Sequence, residues 1–180
     1  MAASPIHLRS VRGGDARRIA ELAGDPEVSA TTLRLPYPYE LQHAQDWLRK
    51  LAAQPEPAIE RVWGIEAGEG GELVGVIGLT FNYSFKRAEV GYWIGRPYWN
   101  MGFATAALRA VINIGFGELG LNRIDAHHMA HNLSSGRVME RAGMLYEGLL
   151  RQHVCKDDQF IDGLMYAILR QDWQNAGRPS

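Results

Sequence analysis

The sequence predicts a single α/β domain, with a mixed, largely antiparallel central sheet and helices on both faces. Its 180 residues, 46% of them hydrophobic, are enough to build one well-packed core. Strand-like and helix-like segments follow one another in the order β-α-α-β-β-β-α-β-α-β-β. The run 73–79 is apolar at both alternating sets of positions, as expected of a central strand covered on both sides. No repeat or linker divides the chain, so one domain over residues 1–180, with a core at about 6–173, is expected.

Periodicity places the elements of the first half of the chain. Apolar residues recur on one face after Gly13 and again after Leu41, which indicates two amphipathic helices. The glycine cluster 68–71 separates two strand-like runs and predicts a hairpin. The predicted elements are strands at 6–11, 62–67 and 73–81, and helices at 13–23 and 41–51.

The second half alternates strands with two helices and ends in two strands. Gly117 and Gly143 stand where glycines commonly end helices. The segment Lys156–Gln159 is a polar turn between the last two strands. The predicted elements are strands at 88–94, 123–129, 146–155 and 160–169, a helix at 104–116 and, after Asn132–Ser135, a short helix that carries Val138, Met139 and Ala142.

Composition excludes several classes of protein. A formal charge of −1, from 19 basic and 20 acidic residues, argues against a nucleic-acid surface. Cys155 is the only cysteine, so no intramolecular disulfide can form and a reducing compartment is expected. The segment 1–7 lacks the charged and apolar regions of a signal peptide, and no apolar run reaches the roughly 20 residues that span a bilayer. We therefore expect a cytoplasmic protein that binds neither nucleic acid nor membrane.

The stretch WNMGFATAA, residues 99–107, begins as a turn and continues as a helix. The first N–H groups of a helix have no intrahelical acceptor, and the helix dipole adds partial positive charge. Asn100 tolerates left-handed backbone angles, and Gly102 lets the backbone approach a ligand closely. Residues 101–105 could thus hold a phosphate without a lysine. Taken alone, the stretch favours the simpler interpretation as an ordinary strand-to-helix turn.

The wider pattern resembles the GNAT acetyltransferase family. The strand Glu89–Ile94 is followed by Gly102-Phe103-Ala104, a helix, a strand and Asn132-Leu133-Ser134-Ser135. Within that family the chain is most similar to the Rim-type branch, which acetylates the N-termini of ribosomal proteins. The segments that carry this resemblance are LRSVRGGDA at 8–16, the Pro-Tyr connector before the second helix, EVGYWIG at 89–95 and DGLMY at 162–166. Trp99 and Asn100 depart from the family's pyrophosphate loop, which carries Gln or Arg and often glycine at these positions.

The resemblance implies acetyl-CoA as co-substrate. It places the pyrophosphate on the backbone of residues 101–105 and pairs the pantetheine arm with the main chain of residues 92–94 and with Asn132. The residues expected to bind acetyl-CoA are Tyr92, Trp93, Ile94, Trp99, Asn100, Met101, Gly102, Phe103, Ala104, Thr105, Asn132 and Ser135.

The resemblance also offers a catalytic role for Ser135. The Rim-type branch places a serine at this position near the thioester sulfur, where its hydroxyl could stabilise the departing thiolate. Ser134 and Ser135 are also good helix-capping residues, and we expect at least one of them to cap. Many family members use a tyrosine four residues further on as acid, but that position is Met139 here.

The general base is left open among several groups. Glu89 is placed slightly ahead of His127, His128 and His153, and water could also mediate the transfer. An α-amine, with an ordinary pKa near 8, needs only modest help to lose a proton. Asp162 resembles a family-typical aspartate and could simply fix the backbone.

Other chemistry-bearing residues are given structural interpretations. His127 and His128 point to opposite faces of a strand, so a metal site with His131 is rejected. Cys155 has no local Cys-His motif and is expected to be inert. Three aromatic side chains are expected to line the acceptor groove, because the family's connector between the first two helices borders it: Tyr37, Tyr39 and Trp99.

The leading hypothesis is direct acetyl transfer from acetyl-CoA to a primary amine, with the N-terminal α-amine of a protein such as a ribosomal protein as the first-ranked acceptor. A second hypothesis keeps the chemistry but takes a polyamine, an amino acid or an aminoglycoside as acceptor. A third is a non-catalytic acyl-CoA-binding module, because the tyrosine acid is missing and the base is open. Relatives often dimerise, so a homodimer is left open.

Overall fold

A computed structural model describes residues 5–177 of the chain. The fold is mixed α/β, as predicted. Residues 1–4, which belong to the segment inspected for a signal peptide, and residues 178–180 lie outside the described part. Two compact units are distinguished, residues 1–79 with 91–107 and residues 80–90 with 108–180, so one domain over the whole chain stays a prediction.

Seven strands and six α-helices make up the described part of the chain. The strands form one mixed sheet in the order β1-β2-β3-β4-β5-β7-β6. The strands are β1 Ile6–Ser10, β2 Glu60–Ala67, β3 Leu73–Asn82, β4 Arg87–Ile94, β5 Arg123–Met129, β6 Leu145–Lys156 and β7 Gln159–Leu169. The helices are α1 Ala16–Ala23, α2 Pro26–Thr31, α3 Leu41–Ala52, α4 Phe103–Gly117, α5 Leu133–Arg141 and α6 Arg170–Ala176.

Strand pairing is mostly antiparallel, as predicted. β1 pairs antiparallel with β2, and β7 pairs antiparallel with both β5 and β6. β4 and β5 are parallel, with Arg87, Ala88 and Glu89 opposite Arg123, Ile124 and Asp125. Parallel neighbours need a long crossover connection, which α4 supplies between them in the chain.

The first unit has a hydrophobic core between its helices and strands. The predicted apolar faces of α1 and α3 are buried there against β2 and β3. Sequence periodicity missed the short helix α2, although Asp25 accepts a hydrogen bond from the Glu27 N–H and Pro26 follows as the first helical residue. The core residues are Ala16, Ile19, Ala23, Tyr39, Ala44, Leu48, Val62, Leu73 and Val76.

The second unit has fully buried side chains on α4 and β5, among them Leu108, Phe116 and Ile124. Helix α6, which was not predicted, follows β7 directly; Trp173 packs against Phe116 with ring centroids 5.7 Å apart. Within residues 5–177, no helix is long and apolar enough to cross a membrane.

Candidate active site

The loop between β4 and α4 has the backbone geometry predicted for it. A 3-10 turn at Arg96–Tyr98 leads to Asn100, whose φ is +64°, and to Gly102, whose φ is +85°. Both residues thus have left-handed backbone angles, which glycine and asparagine adopt more readily than other residues. The conformational reason given for Asn100 is therefore confirmed.

The start of α4 is open on the side of Gly102. A Cβ added at Gly102 would meet no atom within 4 Å. Helix α4 begins at Phe103, and the Ala106 N–H donates to the Gly102 carbonyl at 3.1 Å. The small side chains of Ala104 and Thr105 leave the first turn uncluttered. The loop thus has room for an anionic group beside its N–H donors.

Trp99 has a contact that the sequence did not reveal. Its indole Nε1 donates to the Ile94 carbonyl at 2.7 Å and closes the loop back onto the end of β4. The Arg96 guanidinium lies over the Trp99 ring, 4.8 Å from the centroid, and is paired with Glu27. Trp99 therefore stands where the family's loop has Gln or Arg, and its indole hydrogen bond holds the loop against the end of β4.

The predicted acceptor-groove aromatics differ in exposure. Tyr37 is 62% exposed. Tyr39 is buried in the core of the first unit, and burial raises the pKa of its hydroxyl. Of these two aromatic side chains, Tyr37 is the one that solvent reaches.

In the second unit, Asn132 caps α5, which contradicts the expectation that a serine would do so. The Asn132 Oδ1 accepts a hydrogen bond from the Ser135 N–H at 3.3 Å. The Asn132 Nδ2 donates to the Ser135 Oγ at 3.0 Å. Asn132 is buried and precedes the expected caps by two and three residues, so both Ser134 and Ser135 lie in the first helical turn.

Three of the four base candidates lie together in the second unit. Glu89 Oε1 lies 3.4 Å from His127 Nδ1; the Glu89 side chain is 42% exposed and that of His127 is 11% exposed. The His127 and His153 rings meet edge to face, with centroids 4.9 Å apart. Strand register explains the pairing, because Glu89 lies opposite Asp125 and His127 follows two residues later on the same face.

His128 points to the other face of β5, as alternation predicts. It is buried and stacks on Tyr166, with ring centroids 5.6 Å apart. His128 is therefore separated from the other base candidates. Among residues 5–177, no cluster of three or more His, Cys, Asp or Glu side chains could hold a metal.

His153 lies in an irregular stretch of β6 that Asp162 supports. The register of β6 against β7 shifts between Leu150 and Val154, and Gln152 has a φ of +49°. The Asp162 carboxylate accepts a hydrogen bond from the Gln152 N–H at 2.7 Å. Asp162 thus fixes the backbone beside His153, the structural role considered for it.

A charged network flanks Glu89 on the same face of β4 and β5. The buried Asp125 carboxylate accepts hydrogen bonds from Arg123 at 3.0 Å and from Arg87 at 3.3 Å. Arg123 also donates to Glu147 at 2.8 Å and holds the pKa of that carboxyl below its usual range. Asp125 and Glu147 are thereby occupied by arginines, whereas the partner of Glu89 is an imidazole.

Comparisons with known proteins identify the family of the chain. The domain description "Acetyltransferase (GNAT) domain" matches residues 6–145. The chain is 37% identical to the uncharacterized N-acetyltransferase YoaA of Bacillus subtilis over 109 residues, which is 60% of this chain and 62% of YoaA. It is 31% identical to the [ribosomal protein uS5]-alanine N-acetyltransferase of Escherichia coli over 104 residues, 57% of this chain and 54% of that enzyme. The match thus spans less than two thirds of either relative.

Among solved structures, the fold is similar to spermidine N-acetyltransferase from Vibrio cholerae, solved in complex with CoA and spermine. The TM-score is 0.81 at 24% identity, and the match covers 96% of this chain and 99% of that one. At this identity the similarity establishes the fold.

The domain match spans most of the chain, and the relatives named above are N-acetyltransferases. Proteins of this family use acetyl-CoA, which agrees with the CoA bound in the similar solved structure. The chain belongs to the GNAT family of acetyl-CoA-dependent N-acetyltransferases.

Proposed function

We propose that this protein transfers the acetyl group of acetyl-CoA to the N-terminal α-amine of a protein such as a ribosomal protein. The pairing of Glu89 with His127 carries the proposal. An α-amine has a pKa near 8, well below that of a lysine or polyamine amine, so a carboxylate–imidazole pair suffices to take its proton near neutral pH. The similarity to the uS5-alanine enzyme supports the same acceptor class. The exposed Cys155 thiol suits a reducing cytoplasm, where the proposal places the enzyme.

The loop at residues 99–105 is the proposed seat of the acetyl-CoA pyrophosphate. Its left-handed residues Asn100 and Gly102 and the start of α4 supply N–H donors, and the space beside Gly102 admits a phosphate. Met101, Phe103, Ala104 and Thr105 contribute backbone in the same proposal. Trp99 acts through the brace to Ile94.

The pantetheine arm is proposed to pair with the main chain of Tyr92 and Trp93 in the first unit. The Ile94 carbonyl already accepts a hydrogen bond from the Trp99 indole. We therefore assign Ile94 a smaller part than Tyr92 and Trp93 in binding the arm. In the second unit, we assign Asn132 to the arm and Ser135 to the thioester sulfur. The Asn132 amide orients the Ser135 hydroxyl oxygen by donating to it.

In the proposed reaction the amine nitrogen attacks the thioester carbonyl carbon, a C–N bond forms and the C–S bond breaks. Glu89 accepts the proton that leaves the amine, and His127 orients and stabilises the carboxylate. Ser135 donates a hydrogen bond to the sulfur as negative charge develops there. His153, exposed and in contact with His127, offers the proton a path to solvent.

Acceptor panels test the proposal. Thiol release is measured with peptides that have a free N-terminal alanine, with the same peptides N-terminally blocked, and with spermidine, single amino acids and an aminoglycoside. We expect turnover with the free peptides alone. Turnover with spermidine but not with peptides would favour a small-amine acetyltransferase. Stabilisation by acetyl-CoA in a thermal-shift assay, without turnover on any panel, would favour a binding module.

Replacing Trp99 tests the loop assignment. Trp99→Phe keeps an aromatic ring but loses the hydrogen bond to Ile94, which is worth about 1 kcal/mol. We expect the Kd for acetyl-CoA to rise about fivefold. Trp173→Phe is the matched control, because it loses an indole hydrogen bond of equal length, to Asn113. Equal affinities of the two variants, measured by calorimetry, would contradict the assignment.

A further inference from the structure

His128 contains a buried polar atom without a partner. Its Nε2 is the buried side-chain nitrogen or oxygen for which no hydrogen bond is found in the part of the chain described. His128 is 4% exposed and lies on the opposite face of β5 from the Glu89–His127 pair. A buried unpaired nitrogen is costly, so the surrounding contacts should show what retains the imidazole.

The other ring nitrogen is hydrogen bonded at the end of β5. His128 Nδ1 lies 2.9 Å from the Met129 carbonyl oxygen, and since a carbonyl only accepts, Nδ1 carries the proton. The same carbonyl accepts the Asn132 N–H at 2.8 Å. His128 and Asn132 therefore share one acceptor at the turn from β5 to α5.

The Nε2 side of the ring faces the first turn of α5. A Cβ added at Gly136 would lie 2.9 Å from His128 Nε2 and 3.2 Å from the Tyr166 hydroxyl oxygen. That hydroxyl donates to Glu140 at 3.3 Å, one turn further along α5. The stacked His128 and Tyr166 rings thus form a surface on which the backbone of Gly136 rests, and a side chain at 136 would push the helix away.

We propose that His128 is a positioning residue for Asn132 and Ser135. Its Nδ1–H fixes the Met129 carbonyl to which the Asn132 backbone is bound, and its ring, with Tyr166, sets the position of the first turn of α5 at Gly136. The same packing explains why Nε2 has no hydrogen-bond partner. Gly136 lies against this side of the ring, and a hydrogen on Nε2 would point at that residue. The inference rests on the proposed roles of Asn132 and Ser135.

Three variants separate the two contacts. His128→Phe keeps a ring of similar shape and loses the Nδ1 donor. His128→Asn keeps a donor near the Nδ1 position and loses the rest of the ring. Gly136→Ala leaves His128 intact and introduces the close Cβ contact. We expect kcat to fall about tenfold in His128→Phe and Gly136→Ala, and His128→Asn to recover part of the loss. Should one variant not fold, the others test the same proposal.

A double-mutant cycle distinguishes positioning from general destabilisation. In a Ser135→Ala background, His128→Phe and Gly136→Ala should cause a smaller fold loss of kcat than in the unmodified protein, because Asn132 is then the only one of the two positioned side chains that keeps its polar group. The same fold loss in both backgrounds would overturn the inference.

An activity-independent measurement separates this inference from the proposed function. The side-chain amide resonances of Asn132 report its bond to Ser135, whatever the acceptor. We expect them to shift in His128→Phe and Gly136→Ala relative to the unmodified protein. If Ser135→Ala itself leaves kcat unchanged, the catalytic role of Ser135 fails while shifted resonances still support positioning; unshifted resonances overturn it.

Discussion

Ser135→Ala is expected to lower kcat about 10²-fold, the low end of what a hydrogen-bond donor aimed at developing negative charge contributes. The hydroxyl is lost, whereas the backbone N–H that bonds the Asn132 side chain is retained, so the start of α5 should keep its shape. The Kd for acetyl-CoA should change by less than about threefold, because the hydroxyl acts mainly as charge develops on sulfur. Single-turnover kinetics and calorimetry measure the two quantities.

Ser134→Ala is the matched control for this variant. Ser134 lies in the same helical turn, is exposed, and accepts a hydrogen bond from Arg137 rather than from Asn132. Its turnover should equal that of the unmodified enzyme. Unchanged kcat in Ser135→Ala, or equal losses in both variants, would contradict a catalytic role for Ser135.

Glu89→Gln should lower kcat at least about 10²-fold on a peptide acceptor, because an amide cannot accept the proton of the attacking amine. The Kd for acetyl-CoA should be unaffected. His127→Asn should lower kcat less, and the double variant should be no slower than Glu89→Gln alone, since the two side chains act as a pair. Losses that multiply in the double variant would contradict that pairing.

Glu147→Gln is the matched control for the carboxylate. The two side chains are almost equally exposed, 42% for Glu89 and 41% for Glu147, but Glu147 is paired with Arg123. A surface ion pair contributes at most about 1 kcal/mol, so Glu147→Gln should reduce stability slightly and leave turnover within about twofold. If Glu147→Gln lost as much turnover as Glu89→Gln, the loss would follow from removing any carboxylate charge in this region, and a specific role of Glu89 as base would be contradicted.

Most of the fold could be predicted because its strands and helices have local patterns of apolar residues, separated by turn residues. The predicted strand 123–129 coincides with β5, and the apolar stripes after Gly13 and Leu41 are the buried faces of α1 and α3. The short helices α2 and α6 were missed because six or seven residues carry too little periodicity to be recognised. Asp25-Pro26 was the available signal for α2.

At the site, sequence patterns could name candidates but not their partners. The left-handed Asn100 and the opposite faces of His127 and His128 follow from local backbone rules and are confirmed. The capping residue was misplaced by two to three positions, because Asn, Ser and Thr are all good caps and local propensity does not choose among neighbours.

By itself, the sequence determined the fold class, the family pattern and the backbone character of the loop at 99–105, since these depend on residue order and local conformation. Only the tertiary structure decided which side chains meet. Glu89 and His127 are 38 positions apart yet share a sheet face through strand register, and Trp99 turns back to the Ile94 carbonyl through a bend in the loop. Strand register and side-chain direction depend on packing across the whole unit, which no local segment encodes.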